Sequence, residues 1–374
     1  MANHTSHPNQ INESFKYYHL AQNYREQGAY VQAIEHYQKT IALNPSFQAP
    51  YTILLYMNIG PKQLESLIQT YRTVLEKWPH LYFAWYNLGD ALTQKKDYQS
   101  AKICYRHSCY QQAISSDPKF SQLDWPTTKK YGPDFIIIGA ARCGTSSLHR
   151  YLNQHPNILL PFKKELSFFP HNMQYGLDWY LAHFPTVADG PEFITGEAST
   201  NYFDLPIVPP LLHRIFPETK LILLLRNPIE RAISWHYHKV RAGSEQRSLE
   251  DAIFAEMRTL SQVKVSELGL LGYQSPNNLL GGLYIYKIQQ WFEYFNRNQM
   301  LILQSETLYE NPRETMMQVW DFLGLFPHVS DEYLPHNHID YPAINPSLRE
   351  ILQTFFVPHN QMLESSLSRA FDWS

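Results

Sequence analysis

The amino-acid sequence predicts a chain of two parts: an all-α solenoid of helical repeats and, after it, an α/β domain built on a parallel sheet. Residue types recur every 34 positions in the N-terminal third, short apolar runs follow, and a glycine-bearing loop joins the first of these runs to a helical stretch. At 374 residues the chain is long enough for two domains. We expect a disordered N-terminus over 1–12, the repeats over 13–118, a linker over 119–130 and the α/β domain over 131–374.

The 34-residue period is that of the tetratricopeptide repeat, a helix–turn–helix unit that stacks on its neighbours. A generic helical bundle is the alternative, because apolar residues three and four positions apart occur in any amphipathic helix. Agreement of several positions at one period favours the repeats, and the region resembles three of them. The matching positions are Leu20, Leu54 and Leu88; Tyr37, Tyr71 and Tyr105; and Ala33, Leu67 and Ala101.

The composition limits the classes of partner. The formal net charge of −3 gives no reason to expect nucleic-acid binding. The apolar runs are too short to span a membrane, and the polar N-terminal residues lack the apolar core of a signal peptide. The three cysteines, Cys104, Cys109 and Cys143, indicate neither a disulfide framework nor a zinc site. These features predict a cytoplasmic protein.

Three apolar runs have the length and bounds of buried parallel strands: DFIIIG at 134–139, KLILLLR at 220–226 and MLILQSE at 300–306. Helical stretches lie between and after them, which indicates a doubly wound α/β domain. The first run leads directly into GAARCGTSSL at 139–148. A strand, a glycine-bearing loop and a helix N-terminus in this order favour anion binding, because unpaired backbone N–H groups and the positive helix end point at the ligand.

This P-loop-like segment departs from the nucleoside-triphosphate P-loop. Thr145 stands where the phosphate-binding lysine would be, while Arg142 supplies a guanidinium group within the loop. The strand LILLLRNP ends in Arg226, where an NTPase has a carboxylate that helps to hold magnesium. The pattern predicts a nucleotide with anionic groups at two places, bound without a metal. A P-loop kinase or NTPase is the alternative, which a magnesium requirement would favour.

Four segments in this order resemble the sulfotransferases that use 3′-phosphoadenosine 5′-phosphosulfate (PAPS), in particular their heparan-sulfate and bacterial branch: GAARCGTSSL, KKELSFF, GEASTNYF and LRNPIERAISWHYH. The resemblance extends from Asp134 to Trp373. It implies PAPS as co-substrate, with Arg226 and Ser234 binding the 3′-phosphate. It also implies that a run of loop residues binds the 5′-phosphosulfate: Arg142, Cys143, Gly144, Thr145, Ser146 and Ser147.

The resemblance also implies a catalytic base. Sulfuryl transfer requires the acceptor to lose a proton as it attacks, so a positioned base is expected. Glu165 matches, position for position, the catalytic glutamate of a K-E-x-x-F-F segment in the heparan-sulfate branch; a surface glutamate in a basic turn is the alternative. Lys164 or Lys163 is a candidate to stabilise charge on the bridging oxygen. The role is assigned to Lys164, although the sequence does not choose between the two.

The chain departs from the family pattern near its C-terminus. Eukaryotic relatives place a Lys-Gly-Arg loop against the 3′-phosphate, whereas this chain has HNHIDYP at 336–342. Glu197 and Ser199 form a further polar segment that we expect near the cleft. Arg231 and His238, one turn either side of the phosphate-binding serine, are expected either to add charge or to be solvated. Two histidine pairs lack a clear third ligand, so no metal site is predicted: His236 with His238, and His336 with His338.

The sequence thus favours a sulfotransferase whose acceptor is a hydroxyl or amine of a saccharide, a small molecule, a lipid or a protein. The repeats favour a peptide or protein partner. A catalytically inactive relative that binds partners through its repeats is the alternative from another class of function. Retention of Arg142, Glu165, Arg226 and Ser234 argues against it.

Overall fold

The structure is a computed structural model that describes residues 8–122, 132–185, 193–272, 277–330, 333–334 and 341–373. The chain forms two compact units. The first contains Met1–Lys130, Leu160–Lys163 and Gln174–Pro191, and the second contains Tyr131–Leu159, Lys164–Met173 and Glu192–Ser374. The repeat unit therefore includes two short segments that follow residue 131, which the repeat period could not indicate.

The repeat region of the first unit is all-α. The tyrosines that share the 34-residue register, Tyr37, Tyr71 and Tyr105, are at most 1% exposed, so the period marks the core. Gly89 allows its helix to pack closely on the next one, because a Cβ there would lie 2.8 Å from the Tyr105 ring. The described residues of this region contain six helices, two for each expected repeat: α1 (Pro8–Glu26), α2 (Tyr30–Leu43), α3 (Gln48–Leu54), α4 (Pro61–Lys77), α5 (Tyr82–Gln94) and α6 (Tyr98–Ser116).

Both ends of this region differ from the sequence expectation. Helix α1 begins at Pro8, so residues 8–12 are helical rather than disordered. Proline is common in the first turn of a helix, because the N–H group that it lacks would have no intrahelical acceptor there. Residues 1–7 lie outside the described residues. A 3₁₀ helix, Pro118–Gln122, crosses the expected boundary between the repeats and the linker. Phe120 in this helix is buried, and removal of its aromatic ring from water stabilises the fold. Residues 123–130 are not among the described ones.

The second unit contains a parallel five-stranded sheet in the order β2-β3-β1-β4-β5. The three predicted strands are confirmed as β1, β4 and β5. Because β1 lies between β3 and β4, the segments that follow these three strands emerge at the same edge of the sheet. The strands are β1 (Phe135–Gly139), β2 (Ile158–Leu159), β3 (Ile194–Ala198), β4 (Lys220–Leu225) and β5 (Met300–Gln304).

Helices connect and follow these strands, which confirms the predicted α/β class. No helix within the described stretches is long and apolar enough to cross a membrane. The helices are α7 (Thr145–Leu152), α8 (Leu177–Leu181), α9 (Val208–Ile215), α10 (Pro228–Arg241), α11 (Leu249–Leu260), α12 (Tyr284–Phe292), α13 (Ser305–Glu310), α14 (Pro312–Leu323) and α15 (Pro346–Leu367), of which α8 belongs to the first unit.

Helix α8 and the residues after it pack against the third helix pair of the repeats. Trp179 Nε1 donates to Thr93 Oγ1 at 2.9 Å, and a hydrogen bond of 2.7 Å joins Tyr86 Oη to His183 Nδ1. The His183 ring lies 3.9 Å from that of Tyr105. Burial lowers the pKa of His183 well below its usual value, so the imidazole is neutral. The segment is thus part of the repeat core.

Candidate active site

The segment between β1 and α7 forms the predicted loop. The first turn of a helix leaves backbone N–H groups without an intrahelical acceptor, so the start of α7 at Thr145 favours an anion. Gly144 has φ +89°, in the left-handed region, and a Cβ there would lie 2.8 Å from Tyr309 Oη and 3.3 Å from Ser305 Oγ. Both the backbone conformation and the close approach of these side chains therefore require glycine.

Cys143 in this loop is fully buried. Burial raises the pKa of its thiol to about 11, and its Sγ lies 3.6 Å from Tyr284 Oη. A thiol with such a pKa is protonated at neutral pH, and the protonated form is a poor nucleophile. The Cys143 side chain therefore contributes packing to the loop.

Arg142 is the centre of a polar cluster beside the loop. Its backbone is also left-handed, with φ +70°, and its Nε donates to Ser234 Oγ on α10 at 3.0 Å. Arg226 Nη1 donates to the Arg142 carbonyl oxygen at 3.4 Å. Tyr341 Oη lies 2.9 Å from Ser234 Oγ and accepts from Arg142 Nη2 at 3.3 Å. The structure thus brings together Arg142, Arg226 and Ser234, three of the candidate residues from the sequence, and adds Tyr341.

The two guanidinium groups of this cluster have no carboxylate partner among the residues that the structure describes. Within the described part of the chain, neither Arg142 nor Arg226 forms a salt bridge with Asp or Glu. The carboxylate of Glu306 accepts the backbone N–H of Asn227 at 2.8 Å instead. Two partly buried cations without a compensating carboxylate favour an anion from solution. The cluster has the chemistry of a phosphate site.

Glu165 lies on a turn beside the end of β3. Its backbone has φ +64°, and its N–H donates to the Ala198 carbonyl oxygen at 2.9 Å. The carboxylate accepts hydrogen bonds from the Thr200 N–H at 2.9 Å, from Thr200 Oγ1 at 3.1 Å and from Lys164 Nζ at 2.5 Å. The side chain is 32% exposed. Glu165 is therefore an oriented carboxylate that solvent, and thus an acceptor, can reach.

The two neighbouring lysines have different partners. Lys164 pairs with Glu165. Burial lowers the pKa of His149 on α7, and the charge of Lys164 adds to this effect. Lys163 belongs to the first unit, where its Nζ lies 2.9 Å from Asp90 Oδ1. Lys164 is thus the lysine that lies in the candidate site.

The Glu165 turn adjoins the loop between β1 and α7, residues 140–144, through the residues after β3. This loop is called the phosphate loop below. Ser199 N–H donates to the Ile137 carbonyl oxygen at 3.1 Å. A Cβ at Gly139, where β1 ends, would lie 3.2 Å from the Thr200 carbonyl oxygen and 2.6 Å from Phe203 Cβ. Because Thr200 also binds the Glu165 carboxylate, the candidate base and the loop lie at one edge of the sheet.

A buried polar network supports this turn. Ser199 Oγ donates to Glu197 Oε2 at 2.6 Å and accepts the Ser167 N–H at 2.9 Å. Tyr202 Oη donates to Glu197 Oε1 at 3.0 Å. Glu197 and Ser199 are 2% and 0% exposed. Both residues are near the candidate site, as expected, but they hold the turn in place rather than face an acceptor.

Arg231 on α10 is completely buried, so the solvated alternative is wrong for this residue, whereas His238 is exposed. Arg231 Nε donates to the Ala141 carbonyl oxygen at 3.3 Å, and Nη1 donates to the carbonyl oxygens of Asn277 at 2.5 Å and Asn278 at 3.2 Å. Arg231 shares the buried face of α10 with Ser234, one turn away, and it ties the phosphate loop to this helix. Sequence spacing showed the shared face but not its burial.

The segment that differs from the Lys-Gly-Arg loop is described only from Tyr341 onward, and His336 and His338 lie outside the described residues. Among the residues that are described, no group of three His, Cys, Asp or Glu side chains is placed to hold a metal ion. Sequence reasoning did not single out Tyr341. The signal that could have found it is its position in a segment where relatives contact a phosphate.

Comparisons with known proteins match both parts of the chain. The family model "Sulfotransferase domain" matches residues 132–355, and two tetratricopeptide-repeat models match residues 15–47 and 84–120. The human bifunctional heparan sulfate N-deacetylase/N-sulfotransferase 2 is 29% identical over 268 residues, which cover 63% of this chain and 30% of the relative. The Drosophila melanogaster bifunctional heparan sulfate N-deacetylase/N-sulfotransferase is 28% identical over 292 residues, covering 66% of this chain and 27% of the relative.

A solved structure adds to these relatives. The sulfotransferase from Alicyclobacillus acidocaldarius is 30% identical, with a TM-score of 0.50, and the match covers 65% of this chain and 98% of that chain. By contrast, the chain spans less than a third of the length of the two curated relatives above. The sulfotransferase model matches more than half of the chain, including the phosphate loop, Glu165, Arg226 and Ser234. The chain therefore belongs to the sulfotransferase family, and tetratricopeptide repeats precede its sulfotransferase domain.

Proposed function

We propose that this chain transfers a sulfuryl group from PAPS to a hydroxyl or amine acceptor. The observation that carries the proposal is the pair Arg142 and Arg226, which lack a carboxylate partner among the described residues and lie beside the start of α7. PAPS has anionic groups at two places, a 5′-phosphosulfate and a 3′-phosphate. The start of an anion-binding helix, next to two guanidinium groups without a carboxylate partner in the described part of the chain, suits such a ligand.

Each end of the donor has its own group of residues in this proposal. The loop residues 142–147 bind the 5′-phosphosulfate, through backbone N–H groups and the hydroxyls of Thr145 and Ser146. Arg226 and Ser234 bind the 3′-phosphate. The Arg142 side chain reaches Ser234 while its backbone lies in the loop, which supports a contact of Arg142 with the anionic groups at both ends.

The transfer itself needs a base and a cationic group. The acceptor oxygen or nitrogen attacks sulfur as Glu165 takes its proton, and the bond between sulfur and the bridging oxygen of the 5′-phosphate breaks. Adenosine 3′,5′-bisphosphate leaves with the bonding electron pair. Arg142 and Lys164 stabilise the negative charge that develops on the bridging oxygen.

The acceptor is a hydroxyl or amine of a saccharide, a small molecule, a lipid or a protein. The names of the relatives point first to an amine on heparan sulfate, so an amine-bearing saccharide heads the acceptors to be tested. The repeat unit is proposed to bind a peptide or protein partner, as stacked helical repeats commonly do. A cytoplasmic location completes the proposal.

Transfer of labelled sulfate from PAPS tests the proposal. The acceptors are fractions of a cell extract together with amine-bearing and hydroxyl-bearing saccharides, and the reaction contains a metal chelator. We expect label in at least one acceptor and unchanged transfer with the chelator. Tighter binding of ATP than of adenosine 3′,5′-bisphosphate, together with a requirement for magnesium, would favour a kinase or NTPase. A chain that binds neither nucleotide would favour an inactive scaffold.

A further inference from the structure

Tyr341 makes contacts in the phosphate cluster that the roles above do not use. Its hydroxyl lies 2.9 Å from Ser234 Oγ and 3.3 Å from Arg142 Nη2. These partners are 107 and 199 positions away in the sequence. The phenol therefore reaches the two residues that contact the two ends of the donor in the proposed function.

The position of this hydroxyl is set by the protein alone. The Tyr341 ring stacks on the Tyr237 ring of α10, with centroids 5.4 Å apart and planes inclined by 13°. A stacked ring loses little further freedom when its hydroxyl binds a ligand, which favours affinity. The hydroxyl also lies beside the guanidinium group of Arg142, which has no carboxylate partner within the described residues.

Charge makes this phenol a good donor to an anion. Burial raises the pKa of Tyr341, but hydrogen bonding with Ser234, Arg142 and Arg241 and the positive charge of Arg142 together outweigh burial, so the pKa lies below its usual value. A more acidic hydroxyl forms a stronger hydrogen bond with an anionic acceptor. A phosphate oxygen beside Ser234 is such an acceptor.

We propose that Tyr341 binds the 3′-phosphate of the sulfuryl donor together with Arg226 and Ser234, and so makes the site select nucleotides that carry this phosphate. The inference rests on the proposed function. The chain has no Lys-Gly-Arg segment at 336–342, and Tyr341 supplies a neutral hydroxyl from this part of the sequence. The phosphate oxygen accepts the Tyr341 hydroxyl proton, and Ser234 and the guanidinium groups donate to the remaining oxygens.

Two nucleotides that differ only in this phosphate test the contact: adenosine 3′,5′-bisphosphate and adenosine 5′-monophosphate. Tyr341→Phe keeps the stacked ring and removes the hydroxyl. By calorimetry, we expect the variant to bind the bisphosphate about ten-fold more weakly than the parent and the monophosphate equally well. The control Tyr294→Phe removes the hydroxyl of a tyrosine that is 40% exposed, and it should bind both nucleotides as the parent does.

The outcomes separate this inference from the proposed function. A parent that prefers the bisphosphate, with a variant that keeps the same preference, overturns the role of Tyr341 alone. An equal loss for both nucleotides also overturns it, because Tyr341 then only orders the loop. A parent without any preference for the bisphosphate overturns the proposed function and this inference together. Equal denaturation midpoints for parent and variant show that the loss of affinity is not a loss of folding.

Discussion

Two loops of the candidate site contain a charged residue in the left-handed conformation: Arg142 after β1, with φ +70°, and Glu165 beside β3, with φ +64°. This conformation costs a non-glycine residue roughly 1–2 kcal/mol. Strained residues of this kind concentrate where a side chain must point in a required direction. The two loops are thus alike in backbone, and both lie at the same edge of the sheet.

The loops differ in how their charges are balanced. The Glu165 carboxylate has donors in Lys164 and Thr200, whereas Arg142 and Arg226 meet hydroxyl and carbonyl groups but no carboxylate among the described residues. A balanced charge holds a reacting group in place without a ligand, and an unbalanced one attracts a ligand of opposite charge. Changes at Glu165 should therefore lower turnover, and changes at the arginines should lower nucleotide affinity.

The largest expected effect follows the loss of the candidate base. Glu165→Gln keeps the size and much of the hydrogen bonding of the side chain but cannot accept the acceptor's proton. We expect turnover to fall by about 10²-fold or more, with the affinity for adenosine 3′,5′-bisphosphate nearly unchanged. Transfer assays and calorimetry measure the two quantities. Glu293→Gln, at an exposed position, is the control; near-normal turnover in Glu165→Gln would remove this residue from the mechanism.

Arg226→Ala should have the opposite signature. The guanidinium group is expected to make a charge-assisted contact with the 3′-phosphate. Its loss should therefore lower the affinity for adenosine 3′,5′-bisphosphate by roughly one to two orders of magnitude. Adenosine 5′-monophosphate should bind the variant and the parent about equally in calorimetry. Arg214→Ala removes an exposed arginine of α9 and controls for net charge. An equal loss for both nucleotides would contradict the assignment of Arg226 to the 3′-phosphate.

Local patterns in the sequence predicted more of the fold than of the site. The strands β1, β4 and β5 are continuous apolar runs, whereas β2 has two residues and β3 includes Thr195, Gly196 and Glu197, so neither resembles a buried strand. The phosphate loop was predicted because its residues are adjacent in sequence. Tyr341 was missed because its contact with Arg142 joins residues 199 positions apart, which no local pattern reports.

A change in the phosphate loop separates backbone strain from close packing. Gly144→Ala adds a Cβ that would lie 2.8 Å from Tyr309 Oη, at φ +89°. We expect a loss of about 1–2 kcal/mol in unfolding free energy from the backbone alone, and more from the contact. Gly243→Ala is the matched control, because Gly243 has φ +70° and nothing within 4 Å of its Cβ position.

Denaturant unfolding gives the free energies. The Gly144→Ala loss in unfolding free energy has one part that exceeds the Gly243→Ala loss. The double variant with Tyr309→Phe should recover that part, because it lacks the hydroxyl that the new Cβ would contact. If Gly144→Ala costs no more than Gly243→Ala, the close approach of Tyr309 does not constrain the loop.

The smallest expected effect tests how the balanced loop holds its carboxylate. Thr200→Val removes the hydroxyl that donates to Glu165 Oε1 at 3.1 Å but keeps the backbone N–H that donates to Oε2 at 2.9 Å. A single neutral hydrogen bond contributes about 0.5–1.5 kcal/mol, so turnover should fall roughly two- to ten-fold, with nucleotide affinity unchanged. Thr200→Ser keeps the hydroxyl and should restore turnover. If Thr200→Ser is slow and Thr200→Val is not, packing of the threonine methyl rather than the hydrogen bond positions Glu165.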